Sequence, residues 1–163
     1  MANPAKAVPA GFHTVTPTIV VNNAAQAIEF YKKAFGAQEI SRFLGPDGKT
    51  IMHAEIRIGD SPVMLSDEMP DMNVRSPKAY NGPPPARLWL YLDNVDAAWK
   101  RAIDAGAHER MALSDQFWGD RMGQLEDPYG HLWALAQRVK DMTPQEMDKA
   151  GKEFFAQMAG QRR

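Results

Sequence analysis

The sequence predicts an α+β fold: two tandem βαβββ modules forming a cupped, mostly antiparallel sheet, with a C-terminal helix appended. Three observations predict it. Thr18–Ala37, TIVVNNAAQAIEFYKKAFGA, is echoed by Trp89–Ala107, WLYLDNVDAAWKRAIDAGA, in which Asn94 stands 71 residues after Asn23 and one residue is lost before Gly106. Each copy reads as a short strand, a capping Asn, an apolar helix face and a glycine stop, and a repeat of this size sets the fold reading. Each copy is then followed by three strand-like runs separated by turn residues. Finally, Thr143-Pro144-Gln145-Glu146 opens a helix as a capping box with Pro at the first helical position.

The elements follow in order. His13 to Val21 is the first strand, with Pro17 marking an edge or bend. Asn22 and Asn23 break it, and an Asn side chain can accept from the free amides of the first helical turn. The helix is Ala24 to Phe35, with Ala27, Ile28, Tyr31, Ala34 and Phe35 on one face. Gly36 follows, where a left-handed cap costs glycine little. Gln38 to Leu44, Thr50 to Ile58 and Pro62 to Ser66 are strands, separated by the turns GPDGK and Gly59-Asp60. The second module runs from the strand at Arg87 through a helix at Val95 to Ala105. Strands follow at His108 to Leu113, Phe117 to Leu125 and His131 to Gln137, the last two joined by the DPYG turn. The boundaries are a flexible arm over 1–12, module one over 13–67, a Pro-rich linker over 68–85, module two over 86–139 and a helical tail over 140–163. A long irregular segment such as the linker is either plain surface or a lid over a ligand cavity. On the last helix Met147, Ala150, Phe154 and Met158 share a side that packs at home or clasps a partner.

Composition narrows the function. The chain has 163 residues, 44% of them hydrophobic, and a formal net charge of -1. That balance gives no electrostatic reason to expect nucleic acid or an anionic membrane surface. With no cysteine, disulfides, thiolate ligands and a cysteine nucleophile are excluded, which fits a cytoplasmic location. No apolar run approaches a membrane span. The N-terminal MANPAKAVPAGF is too short and too interrupted by proline for a signal peptide.

The two modules, with FYKKAFGA after the first strand, FWGDR, and DPYGHLWALA at the end, resemble the vicinal oxygen chelate superfamily. This is the glyoxalase, bleomycin-resistance and dioxygenase group. The phrases IMHAEIRIGDSPVMLSDE and DQFWGDRMGQLEDPYGHLWALA resemble its PhnB-like subgroup more closely, over roughly Thr14 to Val139. The resemblance implies a ligand held in a cup between curved four-stranded sheets, often completed across a homodimer. It also implies that metal-using members draw four His or Glu ligands from the first and fourth strands of each module. The matching positions here are Thr16, Met64, Arg87 and Ala134. None is a usual ligand for a divalent ion, and Arg87 sets a cation where the ion would sit, so no cofactor is expected.

Strand parity supplies the other candidates. In Arg87 to Leu92 the three leucines share one face, meant for the helix, leaving Arg87, Trp89 and Tyr91 for the cup. Ala54, Ile56 and Ile58 face a helix, leaving His53, Glu55 and Arg57. Thr16, Thr18 and Val20 share a face in the first strand; Trp133 and Leu135 take the helix side in the last. His53 and Glu55 are the candidate acid–base pair or plain strand polarity. Trp118 and Arg121 are candidates for the cup rim or for a core Trp with an Arg–Asp pair. His13, His108 and His131 read as structural or surface-exposed, and no HxH or HExxH spacing supports zinc. No serine has a nucleophile-elbow context, and no GxGxxG supports methyl transfer. Three classes remain. One is a metal-free binder of a flat, partly aromatic, anionic molecule whose anion meets Arg87 or Arg57. The second is a glyoxalase-like lyase or isomerase, or a dioxygenase, with an unorthodox site. The third is a structural or regulatory partner protein.

Overall fold

The computed structural model describes residues 6–161. The first module comprises β1 (Thr18–Val21), α1 (Ala24–Phe35), β2 (Gln38–Leu44), β3 (Ile51–Ile58) and β4 (Ser61–Asp67). The second comprises β5 (Arg87–Tyr91), α2 (Val95–Asp104), β6 (His108–Asp115), β7 (Asp120–Glu126) and β8 (Leu132–Arg138). A helix α3 (Pro144–Gln161) follows. The strands form two four-stranded sheets, one per module, ordered β1-β4-β3-β2 and β5-β8-β7-β6. Each is mixed: its first strand runs parallel to its fourth, and the other pairs are antiparallel.

Both helices start as the sequence predicts. Asn23 accepts from the Gln26 amide at 3.1 Å and Asn94 from the Ala97 amide at 3.0 Å. A side chain from the fourth strand adds to each cap. Asp67 accepts from the Ala24 amide at 2.6 Å, and Gln137 from the Val95 amide at 3.1 Å. α1 ends on Gly36 in the left-handed region, φ 68°. The capping box of α3 is formed: Glu146 takes the Thr143 amide at 2.8 Å and returns its own amide to the Thr143 hydroxyl at 3.3 Å.

The two modules share one core. α1 packs on α2, and Tyr31 and Phe35 of α1 lie 5.4 and 4.8 Å, centroid to centroid, from Trp133 of β8. Asp127, in the DPYG turn, is buried at the joint. Its Oδ1 accepts from the Tyr129 and His131 amides, and its Oδ2 from the Tyr31 hydroxyl at 2.7 Å and Trp133 Nε1 at 2.8 Å. Burial first, and then the Asp127 charge, push the Tyr31 phenol well above its ordinary pKa. His131 joins the modules again, its Nε2 lying 2.8 Å from the Val20 carbonyl.

Several expectations change. The first strand begins at Thr18, not His13, because the chain through Thr16 turns back on itself, with the Thr16 hydroxyl donating to the His13 carbonyl at 3.0 Å. β7 begins at Asp120 because Phe117 and Trp118 form the hairpin turn. The linker carries two short 3-10 turns, Pro70–Met72 and Pro77–Ala79. The expected flexible arm over 1–12 lies partly outside the described residues; of the rest, Gly11 sits against Arg57, where an added Cβ would come within 2.9 Å of Nη2. No helix among the described residues is long and apolar enough to cross a membrane.

Candidate functional site

The helices cover one face of each sheet and leave the other open. Strand parity assigns the open faces as the sequence predicts. Leu88, Leu90 and Leu92 pack on the core, while Arg87, Trp89 and Tyr91 are exposed on the opposite face. Ala54, Ile56 and Ile58 are buried, and His53, Glu55 and Arg57 alternate with them.

The register draws one row of side chains across each open face. In the first module the row is Thr18–Met64–Glu55–Ser41, and in the second Trp89–Ala134–Gln124–Met111. The first row is polar. Thr18 Oγ1 lies 3.7 Å from Met64 Sδ, and beside the row His53 Nε2 lies 3.3 Å from Glu55 Oε1. The second is apolar and aromatic, and the Trp89 and Tyr91 rings lie 6.0 Å apart, tilted by 47°. Ala134 and Ala136 of β8 are fully buried beneath their neighbours, while the two rings stay exposed.

Walls rise at both ends of the second face. At the DPYG end the linker folds over the sheet. Lys78, Tyr80 and Pro83 close a cleft of about 540 Å³ whose floor is Arg110, Gln124 and Leu132. Arg110 is itself held by Glu126, with Nε 2.8 Å from Oε2. At the other end the hairpin turn and α3 bound a second cleft of about 410 Å³. There Asp120, 1% exposed, accepts from the Tyr91 hydroxyl and from Trp118 Nε1, each at 3.0 Å. Tyr91 foremost, together with Asp120, raises the Arg138 guanidinium pKa further.

The predicted site residues divide. Thr18, His53, Glu55, Arg57 and Met64 share the first open face, and Arg87, Trp89 and Tyr91 the second, where Trp118 joins them. Thr16 lies outside the strand. Arg121 falls on the helix side of β7, where its guanidinium forks onto Asp96 of α2 at 2.8 and 3.0 Å and reaches Asp115 at 3.1 Å. Its pKa is raised by those carboxylates, Asp96 first, so its donors are spent on structure. Parity counted from Asp120 would have shown this. It would also have found Gln124, and parity along β8 carried one residue past Gln137 would have found Arg138, whereas Tyr80 and Lys78 reach the face only through the chain's tertiary path.

The donor set does not suit a metal. Register places Thr18, not Thr16, opposite Met64, and Trp89, not Arg87, opposite Ala134. A hydroxyl, a thioether, an indole and a methyl, like the guanidinium of Arg87, offer no ligand set for a hard or borderline divalent ion. Among the described residues no group of three His, Asp or Glu side chains converges elsewhere.

Comparison with known proteins gives a consistent picture. The sequence model of the Glyoxalase/Bleomycin resistance protein/Dioxygenase superfamily matches residues 11–135. The chain is 45% identical over 139 residues to the uncharacterized protein Rv0887c of Mycobacterium tuberculosis, covering 83% of this chain and 81% of that one. It is 26% identical to YjdN of Escherichia coli over 69% of this chain and 86% of that one. TioX from Micromonospora sp. ML1 is similar in structure, with a TM-score of 0.60 and 24% identity over 80% of this chain and all of that chain. A PhnB protein from Bacillus cereus superposes with a TM-score of 0.59 at 18% identity, covering 77% of this chain and 99% of that one.

Proposed function

Because the chain belongs to the glyoxalase/bleomycin resistance/dioxygenase superfamily, we propose that it is a metal-independent binder of a small planar molecule, held on the open faces of its sheets. The observation that carries this is the exposed Trp89–Tyr91 pair, 40% and 59% exposed, standing over an alanine floor and walled at both ends. Two large rings left in water on a rigid sheet are a stacking platform. Guanidinia flank it, with Arg87 on the same strand and Arg138 at the end of β8, which favours a ring bearing an anionic group. A homodimer fits the same reading. Ile40 and Phe43 of β2, 50% and 66% exposed, and the apolar side of α3 add to the uncovered apolar surface. A thermal-shift screen of planar aromatic acids is expected to give stabilising hits. In calorimetry Trp89→Ala should weaken them by about 1.5–3 kcal/mol, the size of a lost buried aromatic contact. Hits that bind Trp89→Ala as tightly as the wild type would remove the platform from the site.

A second reading rests on the His53–Glu55 contact. A carboxylate touching an imidazole can orient it as a general base, so the first open face would act on a ligand held by the second. His53→Gln with unchanged ligand affinity and lost turnover of a bound hit would establish it; unchanged turnover would dismiss it.

A further inference from the structure

The cleft at the α3 end of the second sheet is the most fully built site outside the rows already described. It is lined by Trp89, Tyr91, Trp118, Asp120, Arg138 and Met147. Three separate parts of the chain meet there: β5, the β6–β7 turn with the end of β8, and the first turn of α3. Asp120 ties the first two together. Its buried carboxylate holds the Tyr91 hydroxyl and the Trp118 indole on one oxygen. The Arg138 Nε stands 2.6 Å from the other oxygen. The guanidinium is 44% exposed and carries five N–H donors, more than its contacts with Tyr91 and Asp120 use.

The turn that carries Trp118 is fixed as well. Gly119, at φ 93°, has the Lys140 carbonyl so close that an added Cβ would lie 2.2 Å from its oxygen, and its own carbonyl accepts from the Val139 and Lys140 amides at 3.0 Å. Phe117, beside it, packs on Phe154 of α3 with centroids 5.2 Å apart and against Gly151. The aromatic walls and the guanidinium are therefore set before any ligand arrives, which lowers the ordering cost of binding.

We propose that this corner, organised by Asp120, is the recognition end of the ligand site and takes a planar aromatic carboxylate, with the ring against Trp89, Tyr91 and Trp118 and the carboxylate on Arg138. The assignment rests on the binding function proposed above and narrows it, because it chooses Arg138 over Arg87 as the anion partner. Arg87 stands beside Leu132 at the opposite end of β5 from Tyr91, away from Trp118 and Asp120.

The test uses 2-naphthoate and its neutral counterpart 2-naphthamide, titrated by calorimetry into the full chain. Arg138→Gln is expected to weaken 2-naphthoate about tenfold or more, the effect of losing a hydrogen bond to a charged group, and to leave 2-naphthamide within about twofold. Arg87→Gln should weaken 2-naphthoate by no more than about twofold, because Arg87 acts on the anion only at a distance, through its screened charge, and should leave 2-naphthamide unchanged. Arg138 is half-exposed, so its variant is expected to fold, and an unchanged circular dichroism spectrum checks that. If Arg87→Gln weakens 2-naphthoate and Arg138→Gln does not, the corner is overturned while the wider binding function stands. If neither variant matters, the carboxylate is not read here and the corner again fails. If the wild type binds neither probe, both proposals fall.

Discussion

The two modules share a plan and differ in what they carry. Both cap their helix with an Asn and with a side chain from the fourth strand, and both open one sheet face. The first open face is polar, with His53, Glu55 and Arg57 on β3; the second is aromatic and walled. The turn before the fourth strand differs in the same way. In the first module Asp60 is exposed and, among the described residues, takes only the neighbouring Ser61 hydroxyl at 2.8 Å. In the second Asp127 is buried and collects donors from its own turn, from β8 and from α1 of the other module. A duplicated unit has thus kept its local caps, where each helix needs them, and placed its cross-module bond on one side only. What differs between the copies is what faces the partner module or the ligand.

The sharpest break of this comparison is at the two turns. Asp127→Ala leaves a buried phenol, an indole N–H and two amides without an acceptor, and should destabilise by on the order of 3–5 kcal/mol. Asp60→Ala should stay within about 0.5 kcal/mol. Chemical denaturation of both variants measures the contrast; equal losses would mean that Asp127 does not join the modules.

The fourth-strand caps should differ less. Asp67 also accepts from the Ile51 amide at 2.7 Å, so Asp67→Ala removes two charge-assisted bonds and should cost about 2–3 kcal/mol. Gln137→Ala removes one neutral bond, worth about 1 kcal/mol. The same denaturation series ranks them, and a larger loss at Gln137 would reverse the assignment.

A further contrast, which depends on pH, is at Tyr31. Its folded-state pKa lies above 10, so above that pH the unfolded chain has released a proton that the folded chain still holds. Stability is therefore complete below about pH 10 and falls as pH rises beyond it. Tyr31→Phe should lose about 1.5–3 kcal/mol at pH 7, the range for a hydrogen bond to a charged group, and flatten the part of the alkaline decline due to this group. Melting temperatures from pH 7 to 11 check both; an undiminished alkaline slope would place the cause elsewhere.

Much of the fold was legible because it is local. The Asn caps, the Gly36 stop, the capping box at Thr143 and the leucine parity of β5 each depend on residues within a few positions of one another. Parity also placed His53, Glu55, Arg57, Trp89 and Tyr91 on open faces. The FWGDR phrase, which offers Trp118 and Arg121 together, divides because its aromatic pair is a turn held by Gly119 and α3, while Arg121 lies on the helix side of β7. Thr16 failed for the same kind of reason, a turn read as a strand.

The sequence by itself determined the duplicated βαβββ plan and the alternation of each strand, since period and capping are properties of neighbouring residues. Only the tertiary structure decided which side chains meet. Arg138 reaches Asp120 because β8 lies beside β7, Tyr31 reaches Asp127 across 96 residues, and the linker prolines wall a sheet they do not belong to. Such meetings are set by how sheets and helices pack in space, and no spacing along the chain encodes that distance.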